Sequence, residues 1–137
     1  MLGDTKPSVF LFMNIALLSI GNELLSGDTL NTNAAWIGKK VTELGCSVHR
    51  QITVPDDGSS IIDGLNRFID SKSYYIIITG GLGPTDDDIT RTTLFKFVGT
   101  DDVYENEYWS ILSERFKRFG MDIHESIRYQ ALIPTFG

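Results

Sequence analysis

Tyr74-Tyr75-Ile76-Ile77-Ile78-Thr79-Gly80-Gly81-Leu82-Gly83-Pro84-Thr85-Asp86-Asp87-Asp88 decides the fold of this 137-residue chain. Its first part, Tyr74 to Thr79, is apolar and β-branched, as a central parallel strand buried on both faces should be. Glycines at 80, 81 and 83 let the backbone adopt positive φ and approach a neighbour closely, and Pro84 stiffens the turn. A helix is expected next, running through Leu94 and Phe95 to Val98 and stopped by Gly99. A strand entering a helix through a glycine turn is half of a βαβ unit, so the flanking sequence decides whether the pattern repeats.

It does repeat. Asn14 to Ile20 is a short apolar run ended by Gly21 and reads as a buried strand. Ala34, Ile37, Val41 and Leu44 follow helical spacing, with Asn33 or Thr32 as the cap and Gly45 at the left-handed C-terminal position. Ser47 to Val54 alternates Val48, Ile52 and Val54 with polar residues, which suggests a strand nearer the sheet edge. After the turn Pro55–Ser59, Ser59 or Ser60 caps a helix carrying Ile61, Ile62, Leu65, Phe68 and Ile69 on one face. Glu105 to Phe119 reads as a longer helix with Tyr108, Ile111, Leu112, Phe116 and Phe119 inward. Such alternation implies an α/β domain of three layers, a mostly parallel sheet with helices on both faces and right-handed crossovers. Ligands in these folds bind at the carboxyl ends of the strands. Function is therefore expected in the loops Gly21–Asn33, Pro55–Ser59 and Gly80–Asp88.

The third loop joins glycines to a helix start, a combination that suits phosphate or carboxylate. It is not a Walker A loop, because no Lys-Ser/Thr follows, and the Gly-x-Gly-x-x-Gly spacing is absent. Asp86, Asp87 and Asp88 would repel a bound phosphate by roughly a kcal/mol or more per close pair. Two arrangements relieve this. A divalent ion such as Mg²⁺ bridges carboxylates and phosphate oxygens, or one aspartate caps the helix while another faces solvent. A tight turn ending in an Asp-capped helix is the structural alternative to a ligand site. The first loop, Gly21-Asn22-Glu23-Leu24-Leu25-Ser26-Gly27-Asp28-Thr29-Leu30-Asn31-Thr32-Asn33, is long and dense in amides and hydroxyls. Those groups suit a ribose or heterocycle edge, or a capping network.

Composition narrows the partners. With 18 acidic and 12 basic residues the formal net charge is −6, which argues against non-specific binding to nucleic acid or anionic membrane. The apolar run Val9–Leu18 lacks the charge and cleavage pattern of a signal peptide and is too short for a membrane span. Residues 1–12 are expected to be a tail or gene-model extension, with Met13 as an alternative start. Cys46 is the single cysteine, so no intrachain disulfide forms, and a small core role is expected for it. His49 and His124 read as structural or surface residues. A reducing, cytoplasmic setting fits.

Together the three loops resemble the molybdopterin-binding (MoaB/Mog-like) fold, and more closely the amino-terminal domain of the CinA family of competence/damage-inducible proteins. Gly21-Asn22-Glu23-Leu24-Leu25-Ser26-Gly27 with Asn31-Thr32-Asn33 resembles that family's first signature. Thr79-Gly80-Gly81-Leu82-Gly83-Pro84-Thr85-x-Asp87-Asp88-x-Thr90 resembles its glycine loop, and Gln130-Ala131-x-x-Pro134 its next landmark. The similarity runs from about Met13 to the C-terminus. It implies a small phosphate-bearing nucleotide or pterin as ligand, with a homo-oligomer, dimer or trimer, as the expected assembly. In Mog-like members, aspartates matching Asp88 and Asp56 are linked to molybdopterin adenylylation, which makes those two the expected catalytic residues. CinA-type domains are associated with divalent-metal-dependent ADP-ribose pyrophosphatase activity, which implies Asp87 and Asp88 as metal ligands. The residues expected to bind substrate are Gly21, Asn22, Glu23, Gly27, Asn31, Asn33, Thr79, Gly80, Gly81, Gly83, Pro84 and Thr85. The family's nicotinamide mononucleotide deamidase domain is not expected in this chain. The family domain continues beyond Pro134, so residues 13–137 are expected to form a domain incomplete at its C-terminus.

Overall fold

The computed structural model describes residues 14–135, so the expectations for residues 1–12 and for Met13 lie outside the described residues. The chain divides into two compact units, Met1–Gly81 and Leu82–Gly137.

The first unit contains β1 (Asn14–Ile20), α1 (Asn22–Ser26), α2 (Thr32–Glu43), β2 (Ser47–Val54), α3 (Gly58–Asp70) and β3 (Tyr75–Thr79). Its sheet has the order β2-β1-β3, and both pairings are parallel. The α/β class and the parallel sheet are as expected. The central strand differs from expectation: it is β1, buried from Ile15 through Ile20, while β3 lies at the end of the described order and is only half-buried over most of its length. Successive strand side chains point to opposite faces, so continuous burial along β1 means that both faces of the sheet are covered. A run of isoleucines is compatible with either position, and only pairing distinguishes them.

β1 and β2 slip register between Ile15 and Ala16, where His49 has no Cα partner. The imidazole fills the irregularity. Its Nδ1 donates to the Ile15 carbonyl at 2.8 Å, and Nε2 lies 3.3 Å from Ser73 Oγ. This places His49 in a structural role.

On α3 the buried side is narrower than the sequence suggests. Ile61, Gly64, Leu65 and Phe68 are buried, whereas Ile62 and Ile69 stand at the exposed flank. At 100° per residue those two isoleucines fall outside the contact stripe. Gly64 lets α3 approach β1: a Cβ there would lie 3.0 Å from the Leu18 side chain. On α2, Ala34 and Val41 are buried, but Leu44, the residue that ends the helix, is exposed. Cys46, just after the left-handed Gly45, is half-buried rather than a core residue.

Both caps fall before the expected positions, by one or two residues on α2 and by two or three on α3. Asn31, not Thr32 or Asn33, caps α2, its Oδ1 accepting the Ala34 amide at 3.0 Å. Asp57, not Ser59 or Ser60, caps α3, accepting the Ser60 amide at 2.8 Å and the Ser59 hydroxyl at 2.5 Å. Those bonds, the Ser59 hydroxyl first, hold the Asp57 carboxyl at about 2, below its usual 3.8. Because the folded value is the lower one, the cap's contribution is complete above about pH 4 and is lost as pH falls through about 2. An NMR titration is expected to find the Asp57 carboxyl carbon moving near pH 2. A midpoint near 3.8 would remove the capping role.

The second unit contains α4 (Thr90–Val98), β4 (Asp102–Tyr104), α5 (Asn106–Arg118), a 3-10 segment (Glu125–Ala131) and β5 (Leu132–Pro134). β4 and β5 pair antiparallel, two short strands that no hydrophobic periodicity announced. α4 ends at a left-handed Gly99, as expected, yet its buried residues are Thr90 and Thr93. α5 buries none of its residues. Tyr108, Ile111 and Phe119 are exposed, against expectation, while Trp109, Leu112 and Phe116 are half-buried. An amphipathic pattern identifies the apolar side of a helix but not whether anything covers it.

Candidate functional site

In the first unit the carboxyl ends of the three parallel strands come together. The Gly21 amide donates to the Val54 carbonyl at 3.1 Å, stitching the end of β1 to the end of β2. The Asn22 amide donates to Asp56 Oδ2 at 2.8 Å, so a residue from the β2 loop caps α1 from 34 positions away. The Glu23 carboxylate folds back over Gly21, where an added Cβ would meet Glu23 Oε1 at 2.5 Å. Gly80, following β3, has φ +99, and a Cβ on it would lie 1.9 Å from the Ile20 carbonyl oxygen. Gly81 also has positive φ, at +58.

Expected site residues Gly21, Asn22, Glu23, Asp56, Thr79, Gly80 and Gly81 therefore share one end of one sheet. Others in the same loop serve the backbone. Gly27 is the left-handed C-cap of α1 at φ +84, Asn31 caps α2, and Asn33 is exposed in the first turn of α2. The first loop is thus largely a short helix and its caps, which a five-residue element hides well in sequence.

In the second unit Gly83, Pro84, Thr85 and Asp88 line a cavity of about 170 Å³. Asp88 turns inward on its own loop. Its Oδ2 accepts the Thr85 amide at 2.9 Å and the Thr85 hydroxyl at 2.5 Å. A Cβ on Gly83 would lie 2.6 Å from the same oxygen. The Thr85 hydroxyl, then the Thr85 and Gly83 amides, hold the Asp88 carboxyl below the usual range, opposed by partial burial. Asp88 is therefore a carboxylate throughout neutral pH, and the Thr85 amide is engaged rather than offered outward. Asp86 and Asp87 are exposed.

Sequence reasoning missed Arg91 and Thr92, which face this cavity with Asp102, Tyr129 and Gln130. Arg91 Nη1 donates to the Tyr129 carbonyl and lies 3.5 Å from the Leu132 carbonyl, tying α4 to the stretch around Gln130. The signal available was position: Arg91 is the first cation in the chain after the three aspartates and lies in the first turn of α4.

Among the described residues no three His, Cys, Asp or Glu side chains converge as a metal cage. Of the two aspartates expected to hold a metal, Asp88 lines the cavity and Asp87 does not, while Asp86 does; Mg²⁺ commonly takes one or two carboxylates and fills its octahedron with water and phosphate oxygens. No helix among the described residues is long and apolar enough to cross a membrane.

Comparison with known proteins agrees with this architecture. Residues 16–134 match the family model described as "Probable molybdopterin binding domain". A CinA-like protein of Citrifermentans bemidjiense is 39% identical over 122 residues, covering 89% of this chain and 29% of that protein. The crystal structure of CinA from Thermoplasma acidophilum superposes with a TM-score of 0.76 at 33% identity, covering 89% of this chain and 70% of that one. The tungsten cofactor synthesizing protein MoaB of Pyrococcus furiosus shares the fold, with a TM-score of 0.58 at 22% identity over 66% of this chain and 54% of that one. The chain spans less than half the length of curated CinA-like relatives that it matches. With its three-stranded parallel sheet and the strand-end loops stitched as described, the chain belongs to the molybdopterin-binding domain family, on its CinA-like branch.

Proposed function

We propose that this domain binds a small phosphate-bearing nucleotide or pterin and, with a divalent metal ion, hydrolyses a phosphoanhydride such as that of ADP-ribose. The observation that carries the reading is the cavity lined by the glycine-loop residues Gly83, Pro84, Thr85, Asp86 and Asp88 together with Arg91. A cavity lined by one guanidinium, Arg91, and by the Asp88 carboxylate suits a phosphate whose remaining charge is met by a metal. Asp87 and Asp88 would hold that metal, which when bound polarises the phosphoryl oxygens and lowers the pKa of a bound water. Asp88 also orients the Thr85 hydroxyl, and Pro84 stiffens the loop that presents it. At the strand ends of the first unit, Asp56 holds the start of α1 and so fixes where Glu23 lies. Asp56 would act there as a positioning residue.

Incubating the protein with ADP-ribose, with and without Mg²⁺, tests this. Release of AMP and ribose 5-phosphate is expected only with metal, and chelation is expected to abolish it. Metal-independent cleavage would remove the roles of Asp87 and Asp88 as ligands. A second reading, a module that binds molybdopterin or nucleotide without turnover, draws support from the engagement of Asp88 Oδ2 by Thr85. Calorimetric binding of ADP-ribose with no cleavage at any metal concentration would select it.

A further inference from the structure

We infer that two copies of this chain pair through α5, the two helices running antiparallel about a two-fold axis near Ser113. At 100° per residue Tyr108, Ile111, Arg115 and Phe119 fall on one face of the helix, and all four are exposed. Ile111 is 59% and Phe119 67% exposed. The half-buried residues Trp109, Leu112 and Phe116 lie on the adjoining face, where the Arg128 guanidinium sits over the Trp109 ring. The exposed stripe is therefore a second apolar face, beyond the one the helix uses within its own unit. A groove of about 370 Å³ along it is lined by Ile111, Glu114, Arg115, Arg118 and Phe119. Three large apolar side chains on one exposed face are more than the scattered single ones a surface ordinarily carries.

Charge complementarity makes the occupant a second copy. The first turn of α5 is acidic, at Glu107, and its last turn is basic, at Arg115, Lys117 and Arg118. Glu107, Glu114 and Arg118 share one flank of the apolar stripe. None of these three, nor Arg115, is ion-paired among the described residues. In a two-fold pair the same patch meets itself, so an acidic first turn meets a basic last turn twice and the helix dipoles oppose. Parallel pairing would set like charge against like. With the axis near Ser113, Tyr108 lies opposite Phe119 of the second copy, and Glu107 opposite its Arg118. Arg115 falls opposite Ile111, where its aliphatic stem covers the isoleucine while its head reaches Glu114 of the second copy. One face of a 13-residue helix is smaller than a standard interface, which sets the pairing in the micromolar range.

Sedimentation equilibrium of the 137-residue chain, from about 1 μM to about 1 mM, reads the assembly. A monomer–dimer equilibrium is expected. Ile111→Lys sets a cation against Arg115 of the second copy and is expected to raise the dissociation constant at least about tenfold. Glu107→Arg and Arg118→Glu are each expected to raise it about threefold or more, because each turns two attractions into two repulsions. The double variant Glu107→Arg/Arg118→Glu is expected to return to within about twofold of the unsubstituted value. The two residues are eleven positions apart, roughly 16 Å along one helix, so such a rescue can arise only between copies. Circular dichroism checks that each variant keeps its helix content, and Phe119→Ser, just past the last residue of α5, replaces Ile111→Lys if that variant does not fold. A monomer throughout the concentration range, or an assembly of three or more copies, would overturn the inference. So would a dimer that the apolar-face variant leaves unchanged, or charge reversals that the double variant does not rescue.

Discussion

Gly80→Ala is expected to destabilise the protein by at least ~3 kcal/mol, the sum of a left-handed backbone penalty and an overpacking cost. The residue has φ +99, and the added methyl would lie 1.9 Å from the Ile20 carbonyl oxygen and 2.9 Å from its carbon. Relief by movement is blocked on both sides. Ile20 is 2% exposed, and Gly21, next to it, is tied to the Val54 carbonyl. On the other side Thr79 is paired with Ser19 in the sheet. Gly27→Ala is the matched control. Its φ of +84 imposes a similar backbone penalty, but nothing lies within 4 Å of the new methyl. It is expected to cost about 1 kcal/mol. Chemical denaturation of both variants with unchanged slope measures the difference. If Gly80→Ala fell within the cost of Gly27→Ala, the close approach of β3 to β1 at this turn would be refuted.

Asp88→Ala is expected to lower metal-dependent cleavage of ADP-ribose by about a hundredfold or more, the scale on which removal of a metal ligand or acid–base group acts. Two properties of Asp88 converge on that expectation. It braces the turn through Thr85, and its depressed pKa keeps it charged beside the cavity lined by Arg91. The asparagine variant separates the two. Its side-chain carbonyl can still accept the Thr85 amide, but it brings no charge to a metal. Loss of activity in both Asp88→Ala and Asp88→Asn assigns the effect to charge. Full activity in Asp88→Asn would make Asp88 a brace for the glycine turn and move the metal role to Asp87. Titrating Mg²⁺ against each variant adds a second readout, since loss of a ligand raises the concentration needed for half-maximal rate whereas loosening of the turn lowers the rate at saturation.

The sequence is most legible where side chains interact locally. The bounds of β1 and β2, the helices on either side of β2, the glycine stops at Gly45 and Gly99, and the separate strand-end loops all follow from periodicity and turn chemistry. The caps were displaced to Asn31 and Asp57 because several adjacent side chains can all accept an amide, and the choice depends on where the strand before them leaves the sheet. The exposed sides of α5 and the flanking isoleucines of α3 were misread for a related reason: hydrophobic spacing describes one helix and is silent on its neighbours.

What the sequence determined unaided is the alternating α/β pattern, the glycine turn after an isoleucine strand, and the family that its spaced motifs resemble. These are properties of residues a few positions apart, so they are written in the order of the chain. The tertiary structure decided which strand is central, that Asp56 caps α1 across 34 positions, and that Arg91 and Tyr129 meet the glycine-loop cavity. It also decided that Asp88 spends one oxygen on its own turn. Each of these depends on which of several equivalent donors or apolar faces finds a partner, and that is settled only when distant segments pack and the buried polar groups must be satisfied together.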